Sequence, residues 1–218
     1  MITTVIFDMD GVIIDSEPIH FGIERKMFEE LNIIVPFEEH CTYVGTSAQE
    51  MWQTIVSKHA LSIQPDDIVK TARALYMDHI HSSTDVEPIQ GVVELIQDLE
   101  KNDFKILIAS SSHADAIDAV VRKLNLANYF MARLSGTEFR RSKPDPEIFL
   151  EAAKLANAEP RECLVIEDSK NGVMAAKAAG MKCVGFLNLN SGVQDLSGAD
   201  IVISSFMELN TKMIKNIK

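Results

Sequence analysis

Short apolar runs, each halted by polar residues, alternate along this chain with stretches whose apolar positions recur at helical spacing. Residues 2–7 form the first such run and stop at Asp8-Met9-Asp10. An apolar run of that length without alternation is the pattern of a strand buried on both faces, as in a parallel sheet. Residues 105–109 repeat it and stop at Ser110-Ser111-Ser112, and residues 163–166 stop at Glu167-Asp168-Ser169. Residues 182–186 and 200–203 give two more strands, and 131–134 a weaker one.

Helical patterns fill the gaps. Val92, Val93, Leu95, Ile96 and Leu99 share one helix face, as do Ile117, Val120, Val121 and Leu124. Asp145-Pro146 is a helix start signal ahead of Ile148, Phe149, Ala152 and Ala153. Residues 171–179 read as an alanine-rich helix closed by Gly180. Strands alternating with helices imply an α/β fold, a doubly wound parallel sheet with a Rossmann-like core.

One region breaks the alternation. Between residues 15 and 88 no strand pattern occurs. Ile19, Ile23, Met27 and Leu31, with Phe28 beside them, predict one helix. Met51, Ile55 and Val56 predict a second, and Ile68, Ala72, Leu75 and Tyr76 a third. The expected organisation is a core of residues 1–14 and 89–218, with 15–88 inserted as an α-helical cap domain over the strand ends. No internal repeat or low-complexity tract is visible.

Composition narrows the function. Of the 218 residues, 46% are hydrophobic and 24% charged, as in a globular protein. No stretch approaches the roughly 18 to 20 apolar residues that span a bilayer. The N-terminus has no basic segment followed by a long apolar one, so no secretory signal is expected and the cytoplasm is the default location. Cys41, Cys163 and Cys183 lack any tight spacing and read as buried reduced thiols. The formal net charge is −11, and residues 15–87 carry thirteen acidic and five basic side chains. That balance disfavours a nucleic-acid partner, which needs a basic patch to displace counterions. It suits a small substrate accompanied by a metal. For a 24.2 kDa capped chain, a monomer is the default expectation.

In open parallel sheets, ligands bind at the carboxyl ends of the strands. Here those ends carry Asp8 and Asp10, then Ser110, then Glu167 and Asp168, while Lys143 lies in a loop before a helix. Carboxylates at that density favour a hard, oxygen-loving cation, magnesium first. A metal and a lysine together neutralise a phosphoryl group, and a serine hydrogen-bonds its oxygens. One carboxylate then attacks phosphorus while a neighbour protonates the leaving oxygen. Asp8 and Asp10 stand two apart, on the same side of an extended chain, and Gly11 permits a tight turn after them. The competing reading is a set of merely solvated aspartates.

These residues also carry a resemblance. The segment from Asp8 through Asp10-Gly11 and Asp15-Ser16-Glu17-Pro18 resembles the first motif of the haloacid dehalogenase superfamily. Ile106-Leu107-Ile108-Ala109-Ser110 resembles the second, Ser142-Lys143-Pro144-Asp145-Pro146 the third, and the segment around Glu167-Asp168-Ser169 through Gly172 the fourth. The four stand in the family's order and cover nearly the whole chain. The first motif followed by a helical cap is similar to the β-phosphoglucomutase and sugar-phosphate phosphatase branch.

The resemblance implies roles. Asp8 would be the nucleophile that becomes phosphorylated, and Asp10 the general acid and base. Ser110, Ser111 and Lys143 would bind the phosphoryl group. Magnesium would be held by Asp8, Asp10 through its carbonyl, Asp168, and Glu167 directly or through water. His20 and the loop Gly45-Thr46-Ser47 would meet the substrate, a small phosphorylated metabolite. Mutases of the branch carry a phosphate-gripping arginine just after that loop; this chain has Ala48 there, and neither Lys70 nor Arg73 stands at the lysine position expected in the later cap helix. The implied activity is therefore a phosphatase, with a phosphosugar mutase as the alternative. A signalling receiver would place its acidic pair before a separate phosphorylated aspartate and would lack the cap.

Other residues admit two readings. His20 is a substrate contact or a packing histidine. Trp52 is cap core rather than a stacking platform. Asn171 orients the site or caps a helix, and Ser111, Ser112 and His113 offer amides to phosphate or form an ordinary helix cap. His79 and His81 lack the further ligands that a zinc site needs.

Overall fold

The computed structural model describes residues 1–84 and 86–217; Asp85 and Lys218, which fall inside the expected cap and core segments, lie outside the described residues. The chain begins with β1 (Thr4–Phe7) and then enters four helices, α1 (Glu17–Glu30), α2 (Phe37–Cys41), α3 (Ala48–Lys58) and α4 (Pro65–Ser82). It continues through α5 (Val92–Lys101), β2 (Lys105–Ser110), α6 (Ala114–Lys123), β3 (Ala132–Ser135), α7 (Glu147–Leu155) and β4 (Cys163–Glu167). It closes with α8 (Lys170–Ala178), β5 (Lys182–Phe186), β6 (Ile201–Ile203) and α9 (Thr211–Lys215).

All strand pairs are parallel, in the order β3-β2-β1-β4-β5-β6. The apolar runs form strands because both faces of each strand are covered. Val5 and Phe7 point into one hydrophobic cluster with α5 and α6, while Ile6 points into another with α7 and α8. Ile106 and Ile108 against Leu107 and Ala109 alternate in the same way, as period two demands. The chain reverses its winding direction between β1 and β4, so β2, β1 and β4 end side by side at the crevice.

The strand starts differ slightly from the sequence expectation. β1 begins at Thr4, although Thr3 still donates to Glu162 O and accepts from Lys105 N–H, each at 3.0 Å. β6 begins at Ile201, and β3 covers Ala132–Ser135. Gly180, at φ +74°, closes the turn after α8 as expected.

Among the described residues the insert holds four helices rather than the three predicted. The extra one, α2, has five residues and is too short to show periodicity. Met27, Phe28, Met51, Trp52, Ile55, Ile68 and Val69 form a hydrophobic cluster of the insert's own, with Trp52 fully buried. Tyr76 and Ile80 of α4 instead join the cluster on the sheet. Lys123 Nζ donates to the carbonyls of Ile80 at 2.6 Å and Ser83 at 2.5 Å, tying the end of α4 to α6. The insert leaves and returns at one place: Ile14 bridges Pro88, and Ile89 N–H donates to Ile13 O at 2.9 Å. All three cysteines are buried and unpaired. Among the described residues, no helix is long and apolar enough to cross a membrane.

Asp200 pins the far edge of the sheet. Its carboxylate accepts from Lys177 (2.6 Å), Lys182 (2.9 Å) and the Cys183 N–H (2.8 Å). Burial works to raise this carboxyl, but those donors outweigh it and hold it at about 2, below its ordinary 3.8. A depressed folded value stabilises above the unfolded one and is lost as pH falls toward 2. Asp200→Asn is therefore expected to lose about 1 kcal/mol at neutral pH, a figure discounted for the solvent around both lysines. Urea titration should show that difference vanish in strong acid; equal midpoints at neutral pH would contradict it.

Candidate active site

Asp8 follows β1 directly, and its N–H donates to Ile166 O of β4 at 3.0 Å, so the ladder itself fixes its backbone. Glu167 ends β4 and Asp168 follows it. Lys143 reaches in from the loop before α7. Its ammonium donates to Asp8 Oδ1 (2.6 Å), Glu167 Oε1 (2.6 Å) and Ala109 O (2.9 Å), which uses all three of its protons. The side chain is 1% exposed. Burial disfavours its charge, yet Asp8 and Glu167 outweigh that and hold the ammonium above its ordinary range.

Glu167 Oε2 accepts from Ser169 N–H (3.2 Å) and Ser169 Oγ (2.9 Å). Asp168 accepts from the Ser191 hydroxyl. One oxygen each from Asp8, Glu167 and Asp168 fall within 4.8 Å of one another, and all three residues are buried. Burial pushes the Asp8 carboxyl well up; Lys143 draws it down, and Glu167 and Asp10 push it up again. Asp168 is raised by burial and then by Glu167, Glu17 and Asp8. This is a site with more negative charge than its one lysine neutralises, built of hard oxygen donors only. A magnesium-like cation fits that donor set.

The Asp10 carboxylate stands apart from this group. It accepts from Ser16 Oγ (2.5 Å), Ser112 Oγ (2.6 Å) and Ser110 Oγ (3.3 Å), with His20 Nε2 and Tyr76 OH each at 3.5 Å. Burial works to raise Asp10, but the hydrogen bond and charge of His20, then Ser112 and Ser16, bring it down to about 2. Burial works to lower His20, but Asp10 raises it to about 9. His20 also stacks on Tyr76, with ring centroids 4.4 Å apart.

Above these groups opens a cleft of about 480 Å³, a size suited to a small metabolite. Asp8, Asp10 and Asp168 line it from the sheet, and His20, Gly45, Thr46 and Ser47 from the insert. Ser111 lines it too, but its hydroxyl is engaged with Gly45 O at 2.8 Å. Ser110, Lys143 and Glu167 do not line it; they are buried beneath the floor. Thr46 Oγ1 donates to Tyr43 O, and Ser47 caps α3 by accepting from Glu50 N–H. The structure thus gathers the sequence-predicted residues around one cleft.

The match to a family decides the class. Residues 5–186 match the sequence model described as Haloacid dehalogenase-like hydrolase. The chain belongs to this family. Within it, the chain is 30% identical over 216 residues to a beta-phosphoglucomutase of Bacillus subtilis, covering 96% of this chain and 92% of the relative. It is 29% identical over 182 residues to a phosphorylated carbohydrates phosphatase of Thermotoga maritima, covering 82% of each. A solved beta-phosphoglucomutase from Clostridium difficile superposes with a TM-score of 0.86 at 28% identity, covering 99% of this chain and 96% of that one. Elsewhere the same stretch is one part of a longer protein; it spans 18% of a relative from Arabidopsis thaliana that is 31% identical over 185 residues.

Several site residues of this haloacid dehalogenase-like enzyme escaped the sequence reading. Ser16 lay inside a recognised motif without an assigned role. Tyr76 read as helix core, because its ring does pack there. Ser191 follows β5, whose carboxyl end was the available signal. His40, buried against Glu24 at 2.5 Å, lines the cleft from α2. Asn171 does not cap α8; Ser169 does, accepting from Gly172 N–H at 3.0 Å. The α6 N-cap is His113, without a side-chain cap bond.

Gly11 carries the turn under the site at φ +75°, and a Cβ there would stand 1.9 Å from Asp168 Oδ2. Gly11→Ala is expected to lower unfolding stability by about 1–3 kcal/mol through backbone strain and displacement of that carboxylate. An unchanged urea midpoint would contradict the close approach.

Proposed function

We propose that this enzyme hydrolyses a small phosphate ester, of the phosphosugar class, through an aspartyl-phosphate on Asp8 with magnesium bound. The observation that carries the reading is the position of Asp8. Its carboxylate lines the cleft, is held by Lys143 and belongs to the group it forms with Glu167 and Asp168. Those three side chains, with the Asp10 carbonyl, would hold magnesium, which when bound neutralises charge on the phosphoryl oxygens.

In this mechanism an Asp8 oxygen attacks phosphorus and the bond to the ester oxygen breaks. Asp10, ionised at neutral pH, relays the proton held by His20 to the departing alcohol. Water then attacks the aspartyl-phosphate, its proton passes to Asp10, and Asp8 is released as a carboxylate together with phosphate. Lys143, Ser110 and Ser111 would exchange present partners for the phosphoryl oxygens once a phosphate enters. His20 stores a proton 3.5 Å from Asp10 across neutral pH. Residues 15–88 act as a cap on the core of residues 1–14 and 89–218, and Gly45, Thr46 and Ser47 meet the substrate as the cap excludes water. The enzyme works as a monomer on a free cytoplasmic metabolite.

Hydrolysis is favoured over mutation of the phosphosugar by Ala48, which leaves no arginine after the Gly45-Thr46-Ser47 loop. One observation favours the mutase instead. Arg140 lines the cleft, is exposed and makes no ion pair among the described residues, so it is a free cation for a second phosphate.

A panel of phosphosugars with magnesium, including β-glucose 1-phosphate with a bisphosphate primer, separates the two. Phosphate release supports hydrolysis; isomerised product with little free phosphate supports the mutase. Chelation with EDTA is expected to abolish turnover, and added magnesium to restore it; full activity in EDTA would exclude the metal. Asp8→Asn is expected to lower turnover by about 10³-fold or more with the far-ultraviolet circular dichroism retained. Near-normal turnover would end the covalent mechanism.

A further inference from the structure

The end of α2 and the loop after it are fastened to the core by side chains. Four carbonyls there, from Cys41 to Gly45, accept hydrogen bonds from core residues. Gln194 Nε2 donates to Cys41 O at 3.0 Å. Asn171 Nδ2 donates to Thr42 O at 3.2 Å and to Val44 O at 2.9 Å, which uses both of its amide protons. Ser111 Oγ donates to Gly45 O at 2.8 Å. In these four bonds the core supplies every donor and the loop every acceptor. The loop follows the last turn of α2, where carbonyls lack helical partners and must find others.

The loop also rests on the carboxylate cluster. Gly45 has φ +80°, and a Cβ there would lie 2.2 Å from Ser169 Oγ. That same hydroxyl donates to Glu167 Oε2 at 2.9 Å and accepts from Gly172 N–H at 3.0 Å. Gln194 adds a second route. Its Oε1 accepts from Lys170 N–H at 3.1 Å, and its Nε2 donates to Ser191 O at 2.9 Å as well as to Cys41 O. Ser191 in turn holds Asp168. Gln194 therefore joins three segments: the cap loop, the turn after β4 and the turn after β5.

We infer that Asn171 and Gln194 are positioning residues that latch residues 41–45 over Asp8 and register that loop against Glu167 and Asp168. Neither side chain lines the cleft. They act through the loop: with the latch made, Gly45, Thr46 and Ser47 are held at the cleft wall where they meet the substrate. The role in turnover rests on the phosphatase reading; the latch itself does not.

Two measurements keep these separate. Amide hydrogen exchange compares residues 42–47 with β1 and β4 in the wild type, Asn171→Ala, Asn171→Asp and Gln194→Ala, without any substrate. Exchange in 42–47 is expected to rise about tenfold in each variant, the scale of one lost hydrogen bond, with β1 and β4 unchanged. Asn171→Asp keeps the size and removes both donors, so it serves if the alanine variant fails to fold. Unchanged exchange in 42–47, or an equal rise across β1 and β4, overturns the latch. Hydrolysis of p-nitrophenyl phosphate with magnesium is then compared at saturating and limiting concentrations. KM is expected to rise about tenfold with kcat held within about twofold, and Asn171→Gln, which restores donors, to recover part of the loss. An inactive wild type would sink the phosphatase reading and leave the exchange result to decide the latch. An active wild type whose variants keep its KM would overturn the positioning role.

Discussion

The single ammonium of Lys143, buried between Asp8 and Glu167, is the constraint on which the site depends. An ion taken out of water is costly unless its charge and all its protons are matched. Here the third proton goes to a main-chain carbonyl of β2, so the lysine ties the ends of three strands into one electrostatic unit. The surplus of negative charge is then carried outward by short polar side chains. Ser169 serves Glu167, Ser191 serves Asp168, and Ser16 and Ser112 serve Asp10. Removing the lysine would leave two buried carboxylates with nothing opposite them.

Two aspartates separated by one residue thus come to differ. Asp8 is buried beside Glu167 and a lysine that it shares; Asp10 is met by three serine hydroxyls, the Tyr76 hydroxyl and an imidazole. Burial acts on both, and the neighbours decide the direction for each. Adjacent carboxylates with different neighbours can take different chemical roles. The difference arises here from the bend at Gly11 rather than from the strand, since the chain has already turned beneath Asp10.

Much of this was legible in the residues. Unbroken apolar runs ending in carboxylates located the sheet and the floor of the cleft, because burial on both faces leaves no room for polar positions until a strand ends. Helical spacing located α1, α3 and α4, which bury one face each. The five-residue helices α2 and α9 were invisible, being shorter than two periods. Asn171 was left between two roles, and Gln194 was passed over, for a different reason. Their partners lie 127 and 153 positions away, and a hydrogen bond to a main-chain carbonyl leaves no mark on the partner's side chain. Tyr76 shows the same limit: one ring both fills the core and faces Asp10.

The crossing at Ile14 and Pro88 has a consequence of its own. The chain leaves the sheet after β1 and re-enters it beside the point of departure, with Ile13 and Ile89 joined by one hydrogen bond. Among the described residues the segment in between adds no strand to the ladder, so the register of the sheet does not pass through it. Sheet and insert are therefore written in separate stretches of the gene. A lineage can lengthen, shorten or repack the insert while the ladder that carries Asp8, Glu167 and Asp168 stays as it is.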